Sequence, residues 1–114
     1  MEIQFTTLNN GIRLIKLIGN LDRIGTGEIE KVFTGYCVGE DVRVIVDLSG
    51  VGFLASVGIR LLTLTAKSVA KSNGRMALLD PIPEVKTILE KTGIPEIIPV
   101  YSYLESAETV LLAF

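Results

Sequence analysis

Few side chains in this chain have types and surroundings that could do chemistry. Ser56 lies in the run DLSGVGFLASVGIRLL, Asp47 to Leu62, between Ala55 and Val57, with Gly58 two residues on. Asp22 closes the shorter run GNLD at 19–22, and Cys37 is the single cysteine. A serine hydroxyl is a weak nucleophile unless a neighbouring base takes its proton. The sequence contains no histidine, which removes Ser-His-Asp and Cys-His catalysis and histidine metal ligation. No cysteine cluster or regular carboxylate spacing replaces it, and GxxxxGK[ST] does not occur. No catalytic residue, metal ligand or cofactor is therefore assigned, and the protein is not expected to be an enzyme. Two roles stay open to Ser56. It can cap a helix, or it can accept a phosphoryl group from a kinase that brings its own base.

Each residue also has a purely structural reading. Ser is a preferred N-cap, worth about 1 kcal/mol against Ala. Gly58 can let a helix start pack closely on a sheet, which would offset its propensity cost of up to ~1 kcal/mol. Asp22 can cap a helix or sit solvated in a loop. Asp47 is expected to end a strand and bond nearby backbone, and Arg60 to lie on an exposed helix face. Cys37 reads as a small buried hydrophobe and not as a reactive thiol. The functional reading of Ser56 uses the same geometry as the cap. A phosphoryl group there would carry nearly two negative charges into a patch built from Phe53, Leu54, Val57, Gly58 and Ile59. Free N–H groups at a helix start would accommodate it.

The elements that must position these residues follow from periodicity. A chain of 114 residues suits one domain, 1–114, and removes roughly two-thirds of its unfolded surface from water. Hydrophobic residues at 48% and charged residues at 21% describe a folded protein. The net charge of -2 offers no basic excess to track phosphates, which argues against a nucleic-acid surface. No apolar run approaches the ~20 residues that span a bilayer, and MEIQFTTLNNG lacks a signal-peptide pattern. With a lone cysteine, these features predict a cytoplasmic protein without direct membrane insertion.

EIQFTTL reads as a strand, NNG at 9–11 as a tight turn, and IRLIKLIG as a second strand closed by Gly19. Ile29, Val32, Phe33 and Tyr36 form one helical face, with Thr26 as the expected N-cap and Gly39 beyond the end. VRVIVDL is the clearest strand, β-branched and apolar on both faces. GIRLLTLTAKSVAKSNG is helical, with Leu62, Ala66 and Val69 in one stripe. RMALLD is the next strand. Asp80 and Pro81 are read as N-cap and N1 of a helix carrying Ile82, Val85, Ile88 and Leu89. EIIPV is a short edge strand, and Ser102 caps a last helix in which Leu104, Ala107, Leu111 and Phe114 share a face. The order β-β-α-β-α-β-α-β-α demands an α/β fold around a mixed, mostly parallel central sheet. Functional surface in such sheets gathers where strands hand over to helices. Here that means Gly19 to Thr26 and Gly50 to Arg60.

DLSGVGFLASVGIRLL resembles the signature of the STAS domain, the sulphate transporter and anti-sigma factor antagonist family. Its usual form is a hydrophobic strand, D-L-S, a loop ending aromatic-(Leu/Ile/Met)-Asp-Ser, one small residue, Gly and an apolar helix. GNLD resembles the family's G-x-(Leu/Ile)-Asp motif, and the order of elements matches over the whole chain. The resemblance implies a free-standing anti-sigma factor antagonist that works by partner switching. It places Ser56 at the phosphoacceptor position and Asp22 at the loop aspartate beside it. Leu54, Val57, Gly58, Ile59 and Arg60 fall in the part that meets the partner. The implied partners are a GHKL-type serine kinase acting as anti-sigma factor and a PP2C-type phosphatase. The chain departs from the pattern at Ala55, where the family commonly has Asp, and at Val57, where Ser, Thr or Ala is usual. Two other readings stay open: a non-phosphorylated STAS subunit of a lipid-transport ABC complex or stress-signalling scaffold, and a small-molecule or nucleotide sensor.

Overall fold

The computed structural model describes residues 1–113. Five strands form one sheet: β1 (Glu2–Thr7), β2 (Arg13–Leu21), β3 (Arg43–Leu54), β4 (Arg75–Leu79) and β5 (Val100–Tyr101). Four helices accompany them: α1 (Arg23–Tyr36), α2 (Ser56–Lys71), α3 (Pro83–Lys91) and α4 (Leu104–Leu112). The strands lie side by side in chain order. β1 runs antiparallel to β2, as the NNG turn requires, and all other neighbours are parallel. A strand order that advances in one direction, with right-handed crossovers, puts every crossover helix on one face. The main core accordingly joins Ile29 and Phe33 of α1, Leu62 and Val69 of α2, and Val85 and Leu89 of α3 to Ile15, Val44, Val46 and Leu78 of the sheet. α4 follows the last strand and is released from that rule. It covers the other face, with Ala107 and Leu111 packed on Ile12, Ile45, Ala77 and Leu79.

Both hydrophobic faces expected of β2 and β3 are used, which is why these strands lack polar alternation. The Leu62, Ala66 and Val69 stripe is buried as its spacing predicts. Cys37 is buried too, and loss of hydration raises its thiol to about 11, against a smaller opposing effect of the Arg13 charge. Phe114, assigned from sequence to the α4 stripe, lies outside the described residues.

Several element ends differ from the sequence expectation. α1 begins at Arg23, and its N-cap is Asp22 and not Thr26: the Asp22 carboxylate accepts from the Gly25 N–H at 2.8 Å. α1 ends at Tyr36, before Gly39. Asp80 and Pro81 do not cap α3. Asp80 N–H still donates to Tyr101 C=O at 2.7 Å, so the helix waits for Ile82 as N-cap and Pro83 at N1. Ser102 does not cap α4, which starts from Tyr103. EIIPV shrinks to a two-residue strand at Val100, because Pro95 and Pro99 remove ladder donors and Ile94–Glu96 coils into a 3₁₀ turn. Gly19 does not close β2 and Asp47 does not close β3. Register irregularities between Lys16 and Ile18, and again between Gly19 and Asn20, let the two strands run on in parallel to Leu21 and Leu54.

Thr26 instead lies inside α1, 1% exposed, with a hydroxyl that meets no partner among the described residues. A buried unpaired hydroxyl costs stability. Thr26→Val keeps the shape and removes the oxygen, so it is expected to stabilise the protein by about 1 kcal/mol in a urea melt.

Candidate partner-docking site

The extension of β2 and β3 past their irregularities builds the site. Leu21 pairs with Leu54 at the end of the ladder, so Asp22 and Ala55 leave the sheet from adjacent positions. Ala55 N–H donates to Leu21 C=O at 3.0 Å and fastens the two ends together. The starts of α1 and α2 are thereby set side by side above the carboxyl ends of two central strands, the position where open α/β sheets present functional groups.

Ser56 does not cap α2. The N-cap is Ala55, whose extended backbone (φ -94°, ψ 171°) suits a cap but whose side chain offers no acceptor. Ser56 is the first helical residue and is exposed. Among the described residues its hydroxyl meets no hydrogen-bond partner, and neither its N–H nor that of Val57 meets an acceptor. The first turn of α2 also contains no acidic residue. The positive end of the helix is therefore uncompensated, a setting that favours an added anion. Supplying the missing acceptor has a direct consequence: Ala55→Asp or Ala55→Ser is expected to raise stability by about 1 kcal/mol in denaturant unfolding.

The other residues singled out from sequence divide into two groups. Gly58 and Leu54 are buried, Leu54 at 2% exposure, and they position the site without facing solvent. A Cβ on Gly58 would come within 2.8 Å of both the Leu21 carbonyl oxygen and Leu21 Cβ, so this glycine is what lets α2 start so close to the end of β2. Asp22 is half-buried and occupied as the cap of α1. Val57 and Ile59 are half-buried, and Arg60 is exposed. Phe53 is half exposed, and Ile24, the second residue of α1, is 75% exposed. Ile24 was not singled out from sequence. The available signal was its phase: it falls off the stripe of Gly25, Thr26, Ile29 and Phe33 that α1 buries. Further along, Glu30 of α1 and Val57, Arg60, Leu61 and Leu64 of α2 line a groove of ≈ 160 Å³ between the helices. Exposed apolar side chains thus stand on both elements at this corner, Phe53 at the end of β3 and Ile24 at the start of α1, while Val57, Arg60 and Leu64 line the groove along α2 and Ser56 is exposed at the start of that helix. Among the described residues no group of His, Cys, Asp and Glu is placed to hold a metal ion. No described helix is long and apolar enough to cross a membrane.

The STAS domain family matches residues 6–107, which include both strand ends and all of the site. The chain belongs to the STAS family. A relative that is 26% identical over 98 residues, 86% of this chain and 84% of the other, carries the name anti-sigma factor antagonist BtrV, of Bordetella bronchiseptica. A solved structure, an anti-sigma-factor antagonist (STAS) domain protein from Planctomyces limnophilus, superposes with a TM-score of 0.84. It is 28% identical and covers 97% of this chain and 95% of that one. The phosphorylated form of the Bacillus cell fate determinant SpoIIAA shares the fold, with a TM-score of 0.70, 20% identity, and 96% and 99% of the two chains covered. The mixed five-stranded sheet with four helices is thus the STAS fold, with GNLD and DLSGVGFLASVGIRLL at its two central strand ends.

Proposed function

We propose that this STAS domain is an anti-sigma factor antagonist that switches partners through Ser56. The observation that carries the reading is the exposed, unbonded Ser56 hydroxyl at an uncapped helix start, with the exposed apolar residues Phe53 and Ile24 on the strand end and helix start that meet there. Relatives named as antagonists, and a phosphorylated structure of the same fold, support it. In the unphosphorylated state this apolar corner docks on an anti-sigma factor, a GHKL-type serine kinase, and keeps it from its sigma factor. The kinase then directs the Ser56 Oγ at the γ-phosphorus of ATP. The new P–O bond forms as the bond to ADP breaks, and the serine proton passes to a base of the kinase, since this chain offers no histidine. The phosphoserine has nearly two charges. Its oxygens are held by the free Ser56 and Val57 N–H groups, and the apolar corner becomes an anionic surface that the kinase releases. A PP2C-type phosphatase restores the serine by hydrolysis. The protein itself contributes no catalytic group, and the whole cycle belongs to the cytoplasm, where ATP and sigma factors are.

The test is a pull-down from the native cells with tagged protein, with intact-mass analysis of the bait, repeated with Ser56→Asp. An acidic residue at the first helical position suits the dipole, so this variant is expected to keep its fold. A kinase captured by the wild type and lost with Ser56→Asp, together with one phosphoryl group on Ser56, is the expected result. Transporter or scaffold subunits captured equally by both baits, with no modification, would replace this reading by that of a STAS subunit of a transport or stress-signalling assembly.

A further inference from the structure

The two edges of the sheet are built differently. β5 exposes only Val100 and Tyr101, directly after Pro99, a short and guarded edge. β1 is six residues long, contains no proline or lysine, and pairs only with β2 among the described residues. Its ladder is continuous from Glu2↔Ile18 to Thr7↔Arg13, without a bulge. Leu8 N–H donates to Ile12 C=O at 2.8 Å in the same register, which fixes the alternation. Glu2, Gln4 and Thr6 turn their backbone groups to β2, and Ile3, Phe5 and Thr7 turn theirs outward.

α1 lies above this strand. Glu28 binds the Met1 amino group at 2.7 Å, and Tyr36 stacks on Phe5 with ring centroids 4.2 Å apart. Val32 falls between them on the same helical stripe and remains 45% exposed, and Phe5 remains 37% exposed. The outward backbone groups are therefore bordered on one side by apolar surface that the domain leaves open.

We infer that β1 pairs antiparallel with β1 of a second copy of this chain, about a two-fold axis through Phe5, to form one continuous sheet. The strand is self-complementary in that register. Ile3 faces Thr7 of the partner copy, Phe5 faces Phe5, and each such pair exchanges two backbone hydrogen bonds. On the other face Gln4 meets Thr6, and Glu2, the only charged residue of β1, meets Leu8 and not its own copy. Like charges opposite one another, the usual obstacle to strand self-pairing, are absent. The two Phe5–Tyr36 stacks join across the axis, an aromatic arrangement that favours pairing. The partner is a second copy because the surface matches itself in hydrogen bonding, charge and apolar contact together. This face is separate from the Ser56 surface, so the inference stands or falls independently of partner switching.

Sedimentation velocity over a concentration series tests it. The wild type is expected to pass from monomer to dimer as concentration rises. Phe5→Lys sets two ammonium groups against each other at the axis, and Thr7→Pro removes an outward N–H that makes no bond among the described residues. Each is expected to weaken the dimer at least ten-fold. Circular dichroism reports whether each variant is folded, and Thr7→Pro serves if Phe5→Lys loses its core packing. A wild type that stays monomeric up to about 1 mM, where even millimolar association shows, overturns the inference. So does a dimer that persists unchanged in both folded variants.

Discussion

Gly25→Ala is expected to be the most damaging single methyl group that can be added to this protein. Gly25 is buried in the first turn of α1, and a Cβ there would fall on the carbonyl oxygen of Asn20, with Asp22 Oδ1 3.3 Å away. Both neighbours are fixed. Asn20 lies within the paired end of β2, and Asp22 is held as the helix cap by the Gly25 N–H itself. The helix can admit the methyl only by moving off the sheet and giving up its cap. Overpacking of a mobile side chain costs about 1–3 kcal/mol, and contact with backbone belongs at or above the top of that range. Urea unfolding should therefore show a loss of about 3 kcal/mol or more, with an unchanged m-value if the variant still folds in two states. Gly27→Ala is the control. A Cβ at Gly27 meets nothing within 4 Å, and in an exposed helical position Ala is expected to stabilise by up to about 1 kcal/mol. Equal effects of the two substitutions would show that α1 is not seated on the end of β2 in this way.

Phe53→Ala is expected to have the opposite character, leaving stability nearly untouched while removing most of the docking affinity proposed for the Ser56 surface. Phe53 is half exposed, in the last turn of strand before α2, opposite Asn20 in the ladder. Truncation gives up little buried area within the domain, so the melting midpoint should change by less than about 0.5 kcal/mol in stability. Aromatic anchors at the centre of an interface commonly account for 2 kcal/mol or more, about a thirty-fold rise in Kd. Titration calorimetry against the kinase captured in the pull-down measures it directly. Ile97→Ala provides the comparison: Ile97 is equally exposed but lies beyond the 3₁₀ turn that precedes β5, away from the site, and its loss should leave Kd unchanged. If Ile97→Ala weakens binding and Phe53→Ala does not, the docking surface is at the other end of the sheet. Together with Ser56→Asp, the pair separates a surface that binds from a residue that regulates binding.

Gly25 and Phe53 also mark the limit of what periodicity can convey. The strand and helix order was legible because each amphipathic run had one face to bury: Leu62, Ala66 and Val69 declare an orientation before any fold is known, and so do Val85 and Leu89. The mixed sheet was legible for a related reason. A hairpin turn followed by alternating strands and helices has few right-handed solutions. The ends of elements were not legible in the same way. Thr26, Asp80 and Ser102 all have N-cap chemistry, and none caps a helix, because an N-cap is chosen by where the preceding strand releases its last hydrogen bond. Asp80 illustrates this, held by Tyr101 for one residue past the end of β4. Of the two readings open to Ser56, the cap is the one the structure does not use: the helix begins one residue earlier than a serine cap would place it, which leaves the hydroxyl free of a cap hydrogen bond.

The sequence by itself determined the elements, their order, the mixed α/β sheet and the two motifs at the strand ends, since these depend on local preference and on which face of each segment is apolar. Only the tertiary structure decided which motif residues reach solvent. Leu54 and Gly58 are drawn under the surface by the close approach of α2 to Leu21, whereas Ser56, Phe53 and Ile24 are left outside it. That division is set by the paired ends of β2 and β3, more than thirty residues apart in the chain. Long-range pairing of this kind fixes positions that no local pattern encodes.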